Sequence, residues 1–149
     1  MPQSLSKIYI HTVFSTKNRE PFLSDTSLRE ELHAYMGGIA KQIDCHPIRI
    51  GGTADHVHLL TVLARTQAVA ELVKEVKRVS SLWLHEKGIS GFKWQAGYAS
   101  FSVSQSSLER AGSYVENQME HHQSVGFQDE LRRFFAKHNL EFDERYVWD

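Results

Sequence analysis

The stretch HPIRIGGTADHVHLLTVL, residues 46–63, constrains the fold more than any other part of the chain. Two short runs rich in β-branched and apolar residues flank Gly51-Gly52 and a short polar link, the signature of an antiparallel hairpin. Upstream, KIYIHTVFST (7–16) is β-branched and aromatic and reads as a strand. A helix is predicted between them, from about Leu28 to Gln42. Leu28, Leu32, Tyr35, Met36, Ile39 and Ile43 recur at helical spacing, and Ser27 with Glu30 has the spacing of a capping box. A second helix covers QAVAELVKEVKRVSSLWLHEK. Val69, Leu72, Val73, Val76, Val79 and Trp83 form its apolar stripe, and Gly88 is its expected stop. FKWQAGYASFSVS (92–104) is predicted as a fourth strand. Ser106 and Glu109 repeat the capping-box spacing and open a third helix, SLERAGSYVENQMEHH. A fourth helix surrounds QDELRRFFAKH. The tail EFDERYVWD has no clear period, although Tyr146 and Trp148 are candidates to dock.

The resulting order, β-α-β-β-α-β-α-α, implies an α+β chain. Its first six elements match the ferredoxin-like, split βαβ plan that RRM-like modules share. The expectation is one domain over residues 1–149. An antiparallel sheet carries helices on one face and leaves the other open to a ligand. A tyrosine-bearing helix and a further helix follow. Such a fold does not choose between an enzyme and a binding module.

Composition narrows the classes. Hydrophobic residues make up 41% and charged residues 23% of the 149, as in ordinary globular proteins. No apolar run approaches the roughly 18 residues of a membrane span. The start MPQSLSKIYI lacks the layout of a signal peptide, so a cytoplasmic protein is expected. The net charge of −1 argues against a strongly basic coat for nucleic acid but permits a local basic stripe. The single cysteine, Cys45, rules out an internal disulfide and a cysteine-rich zinc site. It is expected as a small buried residue.

His56 and His58 are the unusual residues of the third strand. Strand side chains alternate faces, so both point the same way, with Cα atoms about 6.5–7 Å apart. Their imidazoles can converge on one ion. Val57, Leu59, Thr61 and Leu63 point to the opposite, helix-covered face. Two histidines on a solvated strand face would look the same, so a metal reading needs a third ligand. On the third helix Leu108, Ala111, Val115 and Met119 form the predicted buried stripe. Tyr114 and Gln118 stack at i and i+4 on an adjacent face. A glutamine carbonyl oxygen can join two imidazoles on a divalent ion and leave positions open for phosphate oxygens. A rim tyrosine beside a surface glutamine is the simpler alternative.

HVH followed by YVENQ resembles the signature of the HUH single-tyrosine transposases, the small insertion-sequence transposases and their repeat-associated relatives. HTVFSTKNREPFL, GGTADHVHLL, WQAGYASFSVS and NQMEHH agree as well, so the resemblance spans residues 5 to 145. It implies that His56, His58 and Gln118 bind Mg2+ or Mn2+ and that Tyr114 is the nucleophile. It also implies single-strand DNA cleavage and rejoining through a 5′-phosphotyrosine at hairpin-marked sites. The family is typically a homodimer, which leaves open whether Tyr114 serves its own subunit or its partner. His121 and Glu116 are candidate helpers, although Glu116 points elsewhere on the helix.

DNA binding requires local cations. Lys74, Lys77 and Arg78 lie off the apolar stripe of the second helix, and Lys17 and Arg19 follow the first strand. Both groups are candidates to grip phosphates, as far as they are more than a solvated face. Tyr98 or Phe101 would stack bases if exposed on the sheet. The competing functions are a non-catalytic nucleic-acid binder, another HUH nickase such as a relaxase, and a domesticated transposase acting on dispersed repeats.

Overall fold

The computed structural model describes residues 2–149. Four strands, β1 (Ile8–Ser15), β2 (Pro47–Gly52), β3 (His56–Leu63) and β4 (Ala99–Val103), form one sheet in the order β2-β3-β1-β4. All neighbouring pairs are antiparallel. The helices are α1 (Thr26–Gln42), α2 (Val69–Glu86), α3 (Leu108–Glu116), the single turn α4 (Gln118–His121) and α5 (Phe127–Lys137). This is the ferredoxin-like order expected, with the hairpin at 47–63 in place. Among the described residues no helix is long and apolar enough to cross a membrane.

β1 explains the two-layered interior. Seven of its eight residues are buried, so both of its faces are covered. Ile10 and Phe14 share a face with Val57 and Leu59 and meet Leu32, Met36 and Ile39 of α1 and Leu72, Val73 and Val76 of α2. Cys45 lies in this core as expected. Each large apolar side chain buried there contributes about 1.5–3 kcal/mol.

The opposite face is closed, which corrects the expectation of an open sheet. Val13, Ala99 and Phe101 pack there against Phe127, Leu131 and Phe135 of α5, with Phe134, Val147 and Trp148 alongside. The apolar stripe of α5 needs an apolar partner, and this sheet face supplies it. Phe101 is therefore buried between Phe134 and His138 and offers no open platform for bases. Trp148 docks and Tyr146 stays exposed.

Several boundaries moved for local reasons. α1 starts at Thr26 because Asp25, not Ser27, accepts from the backbone N–H groups of Ser27 and Leu28. β4 is shorter than 92–104. Phe92 and Trp94 plug the first core, with the Trp94 ring edge-on to both Phe14 and Phe92, and Trp94 keeps an isolated antiparallel bridge to Thr16. Lys77 of α2 fixes the following bend, its ammonium donating to the carbonyls of Gln95, Ala96 and Gly97 at 2.8, 3.3 and 2.7 Å. Gln105–Ser107 is a 3-10 turn, so the capping box at Ser106 does not form. The third helix is not continuous either. It breaks at Asn117, which turns Met119 out of the predicted stripe to 52% exposure.

α3 docks on β2 at backbone distance. A Cβ on Gly51 would overlap the Val115 carbonyl, so only glycine fits. Gly51→Ala is expected to cost about 1–3 kcal/mol by overpacking. Gly38→Ala, at an exposed α1 position with open space around it, should stabilise by about 0.5–1 kcal/mol. Thermal melting of the two variants checks the contrast. Equal melting temperatures would contradict the close docking of α3.

Candidate metal and tyrosine site

β3 carries His56 and His58 into the layer between the sheet and α3–α5, where both are fully buried. His56 Nδ1 donates to Asp55 Oδ1 at 2.7 Å and also lies 2.9 Å from Thr53 Oγ1. Burial alone would raise the Asp55 carboxyl, but its bonds with His56 and Thr53 outweigh that and hold it below the usual carboxylate range. A carboxylate on Nδ1 fixes the tautomer and leaves the Nε2 lone pair free. That Nε2 faces inward, 3.4 Å from Gln118 Oε1 and 3.6 Å from Glu130 Oε1.

His58 is held from behind. Its Nδ1 lies 2.7 Å from His11 Nε2, and its own Nε2 lies 3.1 Å from Glu130 Oε1. Burial pushes His58 down to about 4, against the opposing pull of Glu130. Burial and the His58 ring push His11 down to about 3. Both rings are neutral at physiological pH, the state a metal ligand requires.

The break at Asn117 determines where Gln118 points. Starting a new turn, Gln118 is fully buried, and its Nε2 donates to the Tyr114 carbonyl at 3.0 Å. Its Oε1 is thereby aimed at His56. Tyr114 sits half-buried one turn earlier. Its hydroxyl donates a short hydrogen bond to Glu130 Oε2 and lies 3.3 Å from His121 Nε2. Burial first, and then the hydrogen bond to Glu130 and its charge, push the phenol above its ordinary value of about 10.

Glu130 and His122 complete the cluster and were not singled out from the sequence. Glu130 enters from the first turn of α5 and is 2% exposed. Its Oε1 is 3.2 Å from His122 Nε2, at an angle outside that of a hydrogen bond. Its Oε2 is 3.2 Å from His121 Nε2. Burial would raise the carboxyl, but its contacts with His122, His58 and Tyr114 hold it far below the usual range. One signal was readable: Glu130 falls three residues after Phe127 and just before Leu131, on the buried stripe of α5. His122 closes the NQMEHH motif.

The donor set suits a divalent cation. One ligand atom each from His56, His58, His122 and Glu130 lies within 4.8 Å of all the others, with Gln118 Oε1 beside them. Imidazole, carboxylate and carboxamide are ordinary ligands of such ions. A buried carboxylate facing imidazole rings and a phenol carries a desolvation penalty on the order of several kcal/mol, which a cation would offset. His56, His58, Gln118 and Tyr114, expected together from the sequence, are together.

The candidate DNA contacts are placed elsewhere. Lys17 is exposed in the 3-10 turn after β1, and the Arg19 guanidinium lies 3.2 Å from the Gln128 carboxamide, whose oxygen accepts from it once the amide is turned over. Lys74 and Arg78 line an open cleft of about 550 Å³ with Lys93 and Tyr98, although Arg78 also pairs with Glu75 at 2.7 Å. Lys77 has no free donor, since all three engage carbonyls. Glu116 faces Arg49 at 3.9 Å on the surface, away from Tyr114.

Comparison with known proteins agrees with this picture. No curated protein matches the chain significantly. Several solved structures share its fold, among them the following two. One is a Deinococcus radiodurans R1 protein described as a transposase, with a TM-score of 0.62 and 23% identity, over 79% of this chain and 98% of that one. The other is a REP-associated tyrosine transposase bound to a REP hairpin, with a TM-score of 0.61 and 14% identity, over 84% of this chain and 74% of that one. The family described as "Transposase IS200 like" matches residues 4–118, from before β1 to Gln118. The chain therefore belongs to the IS200-like transposase family.

Proposed function

We propose that this transposase cuts and rejoins single-stranded DNA through Tyr114, with Mg2+ or Mn2+ held by His56, His58 and Gln118. Glu130 and His122 extend that donor set. The observation that carries the reading is the shared carboxylate. Glu130 bonds the Tyr114 hydroxyl with one oxygen and faces the metal-ligand imidazoles with the other. Nucleophile and cation ligands are thereby built into one buried cluster. A bound divalent ion would polarise the scissile phosphate and stabilise charge on its oxygens.

The chain's own residues supply the remainder. The Tyr114 oxygen attacks phosphorus in line, a new tyrosyl O–P bond forms, and the P–O3′ bond breaks. The phenolic proton has Glu130 as its nearest acceptor and ends on the leaving 3′-oxygen. The product is a 5′-phosphotyrosine and a free 3′-hydroxyl. Bond energy is retained, so attack by another 3′-hydroxyl rejoins strands without ATP. His11 and Asp55 orient His58 and His56. Lys17, Arg19, Lys74 and Arg78 are proposed as phosphate contacts outside the site.

A hairpin-bearing single strand is the proposed substrate, in keeping with the relative solved on a REP hairpin. Tyr114 reaches the donor set of its own chain, which supports action within one subunit even if the protein works as a homodimer. The reaction belongs with the chromosome, in the cytoplasm.

Labelled single-stranded oligonucleotides covering the genomic flanks, incubated with Mn2+ or Mg2+, should give a covalent protein–DNA adduct on a denaturing gel. Chelator, Tyr114→Phe and His56→Ala should each abolish it. Glu130→Gln should slow it by about 10²- to 10⁴-fold, the usual range for a lost proton acceptor. An adduct surviving in Tyr114→Phe would refute the nucleophile. DNA binding with no adduct on any hairpin-bearing strand would instead favour a purely binding protein.

Asp55 offers a separate check on the metal. Asp55→Asn keeps the size of the side chain but removes the charge on His56 Nδ1. Mn2+ affinity, followed by calorimetry, should fall by about 10- to 100-fold. Unchanged affinity would exclude His56 as a ligand oriented in this way.

A further inference from the structure

A cavity of about 590 Å³ opens beside Tyr114, between the end of β4, α3 and α5. That size is within the range of small-ligand pockets, roughly 300–1,000 Å³. Its inner end is formed by the Tyr114 and His121 side chains with Glu130, the one acidic residue lining it. Arg110 from α3 and Arg133 and Lys137 from α5 line its walls. Among the described residues, none of these three cations has an ion-pair partner within 4 Å. Their neighbour Arg132 shows what an engaged arginine on the same helix looks like. It pairs with Asp129 at 2.9 Å and with Glu144 at 2.8 Å, on the outer side of α5.

The cavity also has an aromatic wall. Phe134 and His138 both line it and both stay partly exposed, with the buried Phe101 ring stacked against each at 5.0 and 4.7 Å. Unpaired cations beside part-exposed rings match a nucleotide, which brings one phosphate and one flat base. A lone anion would use the cations but not the rings. A duplex cannot present a base here without unstacking it.

We propose that this cavity seats a nucleotide of the single strand next to the phosphate that Tyr114 attacks. Arg110, Arg133 and Lys137 hold its backbone, and Phe134 and His138 hold its base. The assignment rests on the tyrosine transesterification reading for its position along the strand, but not for binding itself. α5 then serves twice, delivering Glu130 to the cluster on one side and holding the substrate on the other.

Binding without chemistry separates the two claims. A fluorescein-labelled, mixed-sequence single-stranded oligonucleotide is titrated with the full chain in EDTA, by anisotropy, over a series of salt concentrations. The same is done with the Arg110→Ala/Arg133→Ala/Lys137→Ala variant and with Phe134→Leu, after melting curves confirm that both fold. Each phosphate contact on a single strand contributes about 0.7 to the slope of log affinity against log salt, so the triple variant should lose up to about 2. Phe134→Leu should weaken binding by at least about fivefold with an unchanged slope, because a lost stack is worth about 1–3 kcal/mol. The duplex of the same sequence should compete at least about tenfold less well.

An unchanged slope and affinity in the triple variant would overturn the pocket, even if the wild type forms its adduct. Equal competition by duplex would also overturn it. A reduced slope with no adduct in the wild type would keep the pocket and remove the chemistry.

Discussion

The arrangement depends on one buried carboxylate. Glu130, 2% exposed, is in contact with α3 through Tyr114, with β3 through His58 and with the turn after α4 through His122. Placing that charge away from water is unfavourable by itself. It is offset by the packing of α5, whose Phe127, Leu131 and Phe135 cover Val13, Ala99 and Phe101. The apolar stripe brings the helix down on the sheet, and the single acid within the stripe is carried into the site. A helix that looks like a simple cover for the second sheet face therefore sets the electrostatics of the tyrosine.

Support behind the donors follows the same economy of position. The sheet register places Val13 opposite His58 and Ser15 opposite His56, and it leaves His11 two residues away on the same face to bond His58. Asp55, next to His56 in the chain, takes its outer nitrogen. Gly51 lets α3 approach β2 so closely that Tyr114 reaches the imidazole layer. None of these residues is the proposed nucleophile or a proposed ligand, yet each sets the orientation or depth of one.

Much of this was readable in the sequence because it is local. The hairpin, the strand phase of His56 and His58, and the i, i+4 pairing of Tyr114 with Gln118 all follow from short-range geometry. The residues of the β-α-β-β-α-β plan lie close to where the pattern puts them. Tertiary demands decided the remainder. The second face closed because the α5 stripe had to bury itself, which removed Phe101 as a base platform. Phe92 and Trp94 lie outside the fourth strand, with their rings in the first core. Asn117 broke the third helix, which kept Gln118 inward and turned Met119 out. His122 and Glu130 come from separate elements, and only the acid inside an apolar stripe hinted at one of them. Lys77 read as a surface cation until the carbonyls of 95–97 proved to enclose it.

Diffraction from a crystal grown with Mn2+ and recorded at the manganese edge tests the central claim most directly, namely that one chain assembles cation donors and nucleophile around Glu130. The account predicts one anomalous peak per chain, within ligand distance of the Nε2 atoms of His56 and His58, with Glu130 and the Tyr114 hydroxyl of that same chain beside it. No peak between the histidines, or a tyrosine delivered there by a second chain while the chain's own Tyr114 lies far away, would contradict it.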